Sequence, residues 1–326
     1  MSMLTEFPFP KQYKARAATM ADVTAVVDLM NTCTQAATGE AGESVADRKN
    51  AWETPGLDIT TDIHLVFAPD NTLVGILEFW DVLKPHIQVS IQIYIHPQYD
   101  VQTIGSYLLG WADRREEEAL THALPEGQVV LLAGADGREL AKQQLFQTNG
   151  YAVTRYFWRM VLTMDSLPHS PVWPEGIVIR AHVAGQDDYV VYETIEAAFN
   201  DHWRHVPIAY EQWQHWNIED EEFDSSLWFL ALDGDVVAGA LMGWPTFGDD
   251  AEMGLITDLG VRPEWRKRGI GKALLLHAFH EFHRRGILKV ALTVDTESST
   301  NAPALYERVG MRPAQSRIMY EKEVRQ

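Results

Sequence analysis

Residues 259 to 274 read Leu259-Gly-Val-Arg-Pro-Glu-Trp-Arg-Lys-Arg-Gly-Ile-Gly-Lys-Ala-Leu274. The stretch passes from an apolar strand end through a basic glycine turn, Arg266 to Gly271, into the start of a helix. The first turn of a helix carries main-chain N–H groups with no intrahelical acceptor, and these, with the helix dipole, favour an anion such as a pyrophosphate. A phosphate-bearing ligand is therefore the first expectation. The pattern is not a P-loop, which places a glycine five residues before the Gly-Lys pair and Ser or Thr after it, where this chain has Arg266 and Ala273. Nor is it a G-x-G-x-x-G dinucleotide fingerprint, whose third glycine position holds Leu274.

Around this turn the chain repeats itself. Ile177-Val-Ile-Arg180-Ala and its following apolar-periodic stretch parallel Tyr13-Lys-Ala-Arg16-Ala and the stretch to Met30. Trp228 to Gly239 parallels His64 to Gly75, each reading as two strands around an Asp-Gly or Asp-Asn turn. Gly239 follows Gly75 by 164 residues, as Arg180 follows Arg16. Further on, Val261-Arg-Pro-Glu-Trp265 matches Ile95-His-Pro-Gln-Tyr99, and Ile270-Gly271 matches Ile104-Gly105. Leu305-Tyr-Glu-Arg-Val-Gly310 matches Leu145-Phe-Gln-Thr-Asn-Gly150. Landmarks in one order at nearly constant offset mark a tandem duplication. Three prolines between Ser166 and Gly176 deny the donors that a helix or central strand needs, so the join falls there and the chain divides into 1–168 and 169–326. Each half reads strand, helix, loop and helix, antiparallel strands, helix, strand, helix, strand, which predicts an α/β or α+β domain with a mixed sheet.

Composition agrees with two ordinary cores. The chain has 326 residues, 46% hydrophobic and 22% charged, where roughly 100 to 200 residues make a domain. Its N-terminus lacks a basic region followed by an apolar run, and no stretch approaches the ~20 apolar residues that span a bilayer. Cytoplasmic residence and no membrane partner are expected. A formal charge of −19 argues against nucleic acid and suits a neutral or cationic partner. Cys33, the single cysteine, excludes an internal disulfide and a Cys-rich zinc site, and reads as a small buried apolar residue.

With these landmarks in order, the chain resembles the GNAT superfamily of N-acetyltransferases, in a tandem form similar to mycothiol synthase and its relatives. Their acetyl-CoA signature, Arg or Gln, two residues, Gly, one residue, Gly or Ala, is met by Arg266, Gly269 and Gly271. The Val-x-Pro strand end before it and Leu-Tyr-Glu-x-x-Gly after it make the match specific. The resemblance covers the C-terminal half in motif order and the N-terminal half in outline. It implies two tandem GNAT-like domains, each a mixed, mostly antiparallel sheet flanked by helices, with acetyl-CoA as co-substrate and no metal. Cofactor contacts are then expected from Leu259, Gly260 and Val261 on the strand, and from Arg266, Lys267, Arg268, Gly269, Ile270, Gly271, Lys272 and Ala273 in the turn. Gly269 and Gly271 remove side chains where phosphates approach the backbone. The family often places an asparagine in the loop before the last helix. Its commonest position holds Ser298 here, so Asn301 is either a cofactor contact or, the favoured role, a cap for the helix of Tyr306.

The reaction implied is direct attack of an amine on the acetyl thioester. Tyr306 stands where the family places the acid that protonates the departing thiolate, a task that suits a phenol. A main-chain N–H near Leu259 to Val261 is expected to serve the oxyanion. Asp258 and Glu252 are the candidate bases, and strand alternation puts them on one face. The acceptor is expected against Asp201, His202 and Trp203, in a run dense in aromatic, imidazole and carboxylate groups, while Trp213 and Trp216 read as packing residues. His202 and His205 lack a third ligand for a metal.

The N-terminal half departs from the signature. Asp100 stands for Arg266, Thr103 for Gly269 and Phe146 for Tyr306, so this half reads as degenerate and non-catalytic. The expected activity is acetyl transfer from acetyl-CoA to a primary amine of a small molecule or peptide, by a monomer or homodimer. The alternatives are a non-catalytic acyl-CoA-binding sensor and a mycothiol-synthase-like amino-sugar acetyltransferase.

Overall fold

A computed structural model describes residues 12–39, 42–119, 129–248, 250 and 252–325. The N-terminal segment read for a targeting signal lies mostly outside them. Strand β1 (Lys14–Ala17) leads to α1 (Val23–Thr38), α2 (Val45–Trp52), α3 (Ile59–Asp62), β2 (Ile63–Phe67), β3 (Leu73–Trp80), β4 (Gln88–Ile95), α4 (Val101–Ala119), β5 (Val129–Asp136), α5 (Leu140–Thr148) and β6 (Ala152–Thr163). The order then recurs as β7 (Ile177–Ala181), α6 (Asp188–Phe199), α7 (Tyr210–Asn217), β8 (Phe229–Asp233), β9 (Val236–Trp244), β10 (Met253–Val261), α8 (Ile270–Arg284), β11 (Lys289–Asp295), α9 (Ala302–Arg308) and β12 (Arg312–Arg325). The repeat read from the residues is a repeat of elements.

Two compact units form, residues up to Arg155 together with those from Arg317 onward, and Tyr156–Ser316. The repeat places the division at 168/169; compactness places it differently, because the units exchange closing strands. β6, which precedes the proline-rich join, pairs with β11, and β12 pairs with β5. The N-terminal unit thus has the strand order β1-β2-β3-β4-β5-β12 and the C-terminal unit β7-β8-β9-β10-β11-β6. Every neighbouring pair is antiparallel except β4 with β5 and β10 with β11. In both units the first strand is tied to the start of the first helix by a forked arginine–carboxylate pair, Arg16 with Asp22 at 2.6 Å and Arg180 with Asp187 at 2.5 Å.

The C-terminal sheet is covered on both faces. On one, Leu274, Leu275, Ala278, Phe279 and Phe282 of α8 are fully buried, as the i, i+3, i+4 spacing predicts. Phe282 presses so closely that a Cβ at Gly254 would lie 2.5 Å from its ring, which requires glycine there. On the other face α6 seats Val191 and Ile195, and a Cβ at Gly260 would come within 2.9 Å of the Ala198 methyl group. The N-terminal sheet likewise carries one cluster with Ile104, Leu108 and Ala112 and another with Val26, Met30 and Trp52. Among the described residues no helix is long and apolar enough to cross a membrane.

Candidate functional site

The site in the C-terminal unit begins where two parallel strands part. The β10–β11 ladder runs from Met253↔Lys289 to Ile256↔Leu292 and stops, although β10 continues to Val261 and β11 to Asp295. At that point β10 carries a bulge, with Ile256 opposite Gly243 but Asp258 opposite Met242, so Thr257 is the extra residue. Beyond it the pairing with β9 resumes, and Arg262 N–H donates to Ala238 O at 2.9 Å. Alternate N–H groups of a strand point to opposite edges, so those of Leu259 and Val261 face the edge that β11 has left. They are the donors expected on this strand, and the cleft explains why they are unclaimed by a neighbouring strand.

The glycine turn closes the same end. After a short 3₁₀ turn at Pro263–Trp265, Lys267 and Gly269 both adopt left-handed backbone, φ 64° and 94°. The first main-chain bond into α8 is Ala273 N–H to Gly269 O, 3.1 Å, and the N–H groups of Arg268, Gly269, Ile270, Gly271 and Lys272 have no main-chain acceptor among the described residues. Alternating backbone hands followed by a helix start make a concave nest of donors for an anion. A Cβ at Gly269 would meet nothing within 4 Å, so the space before it is open. Gly271 is less exposed to the turn, its missing Cβ lying 3.5 Å from Leu305 and 3.7 Å from Val261.

The basic side chains behave differently from expectation. Arg266 forks onto Asp201 with contacts of 2.6 and 2.9 Å and also donates to Ala198 O and Val261 O. It fastens the turn to the end of α6, and the pairing holds Asp201 below the usual carboxylate range. Neither Arg266 as a phosphate ligand nor Asp201 as an acceptor ligand fits this commitment. Arg268 is drawn to Asp233, 3.2 Å, which also accepts from the Trp265 indole at 2.8 Å. Lys267 and Lys272 are exposed cations flanking the nest, as Arg268 is. Asn301 has left-handed backbone at the start of α9 and makes no side-chain cap, so the capping role expected of it is not met; it is exposed.

Tyr306 and Asp258 do come together. Tyr306, on α9, is 8% exposed, and burial with the nearby Asp258 charge pushes its phenol up to about 12. Asp258 is pushed up to about 6 by loss of water, against a hydrogen bond from Thr257, with the Glu196 charge adding to the rise. The phenol therefore keeps its proton, and the carboxylate binds and releases one near neutrality. Glu252 is elsewhere. It is exposed just before β10, beside Lys289 at 3.7 Å, about 20 Å along the strand from Asp258 at the usual strand rise. The bulge also shifts the alternation by one, so the shared face predicted for the two carboxylates does not exist.

The segment after α6 supplies the far wall. Trp203 leans towards Phe157 of β6, ring centres 6.2 Å apart, and His202 packs against Phe199 at 5.5 Å. Tyr192 donates to Ile208 O at 2.7 Å, fastening the segment to α6. Trp213 is buried in the core, a packing residue as read. Sequence reasoning missed Glu196, whose Oε2 lies 3.3 Å from His205 Nε2. Its one signal was an acidic residue between Ile195 and Ala197 in an otherwise apolar helix turn.

The corresponding parts of the N-terminal unit are shut. Asp100 accepts from the N–H of Gln102 at 3.0 Å and from the Thr103 hydroxyl, which puts a carboxylate where the other turn has open donors. A Cβ at Gly105 would lie 2.3 Å from Leu145, and Phe146 is fully buried.

The description Acetyltransferase (GNAT) family matches residues 189–311. A mycothiol acetyltransferase of Salinispora arenicola is 30% identical over 271 residues, 79% of this chain and 81% of that one. The crystal structure of a GCN5-related N-acetyltransferase from Sphaerobacter thermophilus is 33% identical and superposes with a TM-score of 0.80 over 98% of each chain. A tandem GNAT protein from the clavulanic acid biosynthesis pathway, 16% identical, shares the fold with a TM-score of 0.71 over 95% of this chain and 98% of that one.

Proposed function

The chain belongs to the GNAT family and is an N-acetyltransferase, and from that premise we propose that its C-terminal unit carries acetyl from acetyl-CoA to a primary amine. The observation that supports this most is the meeting of three features at one end of a split sheet: the open donor nest, the buried Tyr306 phenol and the half-buried Asp258 carboxylate. Acetyl-CoA supplies the activated acyl thioester. The nest at Arg268 to Lys272 takes its pyrophosphate, and the N–H groups of Leu259 and Val261 face the cleft where the thioester carbonyl belongs. Asp258 removes the proton that keeps the amine from attacking, and Tyr306 protonates the departing sulfur. His202 and Trp203 border the acceptor. The N-terminal unit holds no acetyl-CoA in this reading and is a non-catalytic scaffold.

The acceptor is an alkylammonium, drawn by a carboxylate and a net charge of −19. The likeness to mycothiol acetyltransferases favours an amino-sugar conjugate as a second acceptor class. The test mixes the protein and acetyl-CoA with a panel of alkyl, aromatic, peptide and amino-sugar amines and follows release of free CoA thiol. Release with alkyl amines supports the reading, and release with none of the panel by a protein that binds acetyl-CoA overturns it.

A further inference from the structure

We infer that the seat of β12 on α4 is proton-linked: Glu116 is held uncharged while β12 closes the N-terminal sheet, and ionisation of Glu116 loosens that strand. The contact stands in the N-terminal unit, apart from the groups assigned to acetyl transfer.

On α4 the buried stripe runs Ile104, Leu108, Ala112 and then Glu116, each four residues after the last, so a carboxyl takes the next core-facing place of an apolar face. Glu116 is 3% exposed, and its Oε1 is buried with no hydrogen-bond partner. The nearest cations are committed elsewhere. Lys322 of β12 reaches Asp113 Oδ1 at 2.5 Å, and Arg115 turns to Asp62 at 2.8 Å. Lys322 also lies over the Tyr151 ring, 5.5 Å from its centre, and the Tyr151 hydroxyl is itself buried without a partner. Asp113 and Glu116 are three residues apart on one helix, so their Cβ atoms are neighbours at about 5–6 Å. The one ammonium that β12 brings to this face is therefore taken by the first carboxyl of the two.

A carboxylate taken out of water without a partner is strongly disfavoured, and the group binds a proton instead. Loss of water, with the Asp113 charge adding and Lys322 opposing, pushes Glu116 up to about 8. Burial pushes the Tyr151 phenol up as well, so it stays neutral. The titratable and charged groups around Glu116 are Asp113 and Glu117 on its own helix, Lys322 from β12 and Tyr151 from the connection between α5 and β6. Glu321 and Glu323 alternate with Lys322 along β12 and so turn to the other face of the sheet. An ionised Glu116 regains partners by drawing Lys322 from Asp113 or by moving out to water. Either move disturbs the contact through which α4 holds β12. The closed state binds the extra proton, since in the open state the carboxyl returns to its ordinary value of 4.5. Opening of β12 therefore becomes easier as pH rises from there to about 8 and gains nothing further above it.

Amide hydrogen exchange of the full chain tests this. It is read on β12 peptides at each pH as the ratio of the wild-type rate to that of Glu116→Gln, so that the intrinsic pH dependence of exchange cancels. From about pH 5 the ratio should climb by up to about tenfold per pH unit, the slope for one proton, and level off above about 8. Peptides of β9 in the C-terminal unit should give a ratio that does not move. Glu116→Leu, which completes the apolar stripe, should repeat the result. A β12 ratio that stays flat across this range overturns the inference, and so does a rise of equal size in β9. A carbon-13 titration of the Glu116 carboxyl, assigned through its own backbone, reads the same proton without any variant and decides the matter if neither substitution folds. A midpoint near 8 supports the inference, and one in the ordinary carboxylate range overturns it.

Discussion

The turns that open α4 and α8 have one plan and opposite contents. Both follow a strand that ends two residues before a proline, both start a long helix, and both carry a glycine near its start, Gly105 at the fifth residue of α4 and Gly271 at the second of α8. In the N-terminal turn Asp100 bonds to the Gln102 N–H and the Thr103 hydroxyl of its own first turn. In the C-terminal turn the donors stay open and the left-handed Gly269 has empty space before it. The helices that follow differ in the same sense. Leu145 of α5 comes within 2.3 Å of where a Gly105 Cβ would stand, whereas Leu305 of α9 stops at 3.5 Å from the Gly271 position. Where the C-terminal turn leaves its donors open, the N-terminal turn is filled by an internal carboxylate and a closer pair of helices. Fold and sheet split are common to the two units.

The strongest way to break this comparison is at the chemistry. Tyr306→Phe makes the C-terminal unit resemble Phe146 of its twin and should lower kcat by on the order of 10²-fold, with acetyl-CoA affinity in calorimetry little changed; an unaltered kcat would remove Tyr306 from the reaction. Next, Gly269→Thr copies Thr103. A branched residue in left-handed backbone costs on the order of 1–2 kcal/mol, so the turn should relax out of the binding conformation and acetyl-CoA should bind about tenfold more weakly. Equal affinity would show that the nest is not the phosphate site. The converse change, Asp100→Ala, removes a helix cap and should cost about 1 kcal/mol of stability in denaturant titrations. It should leave one acetyl-CoA bound per chain, because Leu145 still closes the cleft; a second binding event would mean that the carboxylate alone distinguishes the units. Smallest of all, Asn301→Ala should leave the acetyl-CoA dissociation constant within about twofold, since its side chain neither caps α9 nor is buried.

What was legible in the sequence was whatever depends on neighbours along the chain. The duplication, the two hairpins, the apolar stripe of α8 and the open turn at Gly269 all follow from spacing and residue type. The match of Tyr306 to Phe146 followed from the shared register of Leu305 to Gly310 with Leu145 to Gly150. What was not legible depends on partners distant in sequence. Arg266 meets Asp201 across 65 residues, and no local pattern shows that its charge is already spent. The bulge at Thr257 is set by how β10 leaves β11 while keeping β9, so counting alternate residues misplaced Glu252. Glu196 lay inside an apolar-periodic helix, and its partner His205 reaches it only when the segment after α6 folds back along that helix. Which sheet a strand completes is likewise set by distant pairing, β6 with β11 and β12 with β5, so the compact units are bounded differently from a division at the proline-rich join.

That exchange of closing strands sets the timetable of synthesis. As the chain leaves the ribosome in order, residues up to Arg155 emerge without the edge that β5 needs, since its partner begins at Arg317. Tyr156–Ser316, by contrast, has all its strands once β11 has followed β6. The unit translated first is therefore the unit finished last, and a messenger truncated after Ser316 would yield a C-terminal unit with all its strands attached to an N-terminal partner with an unpaired edge, open to aggregation.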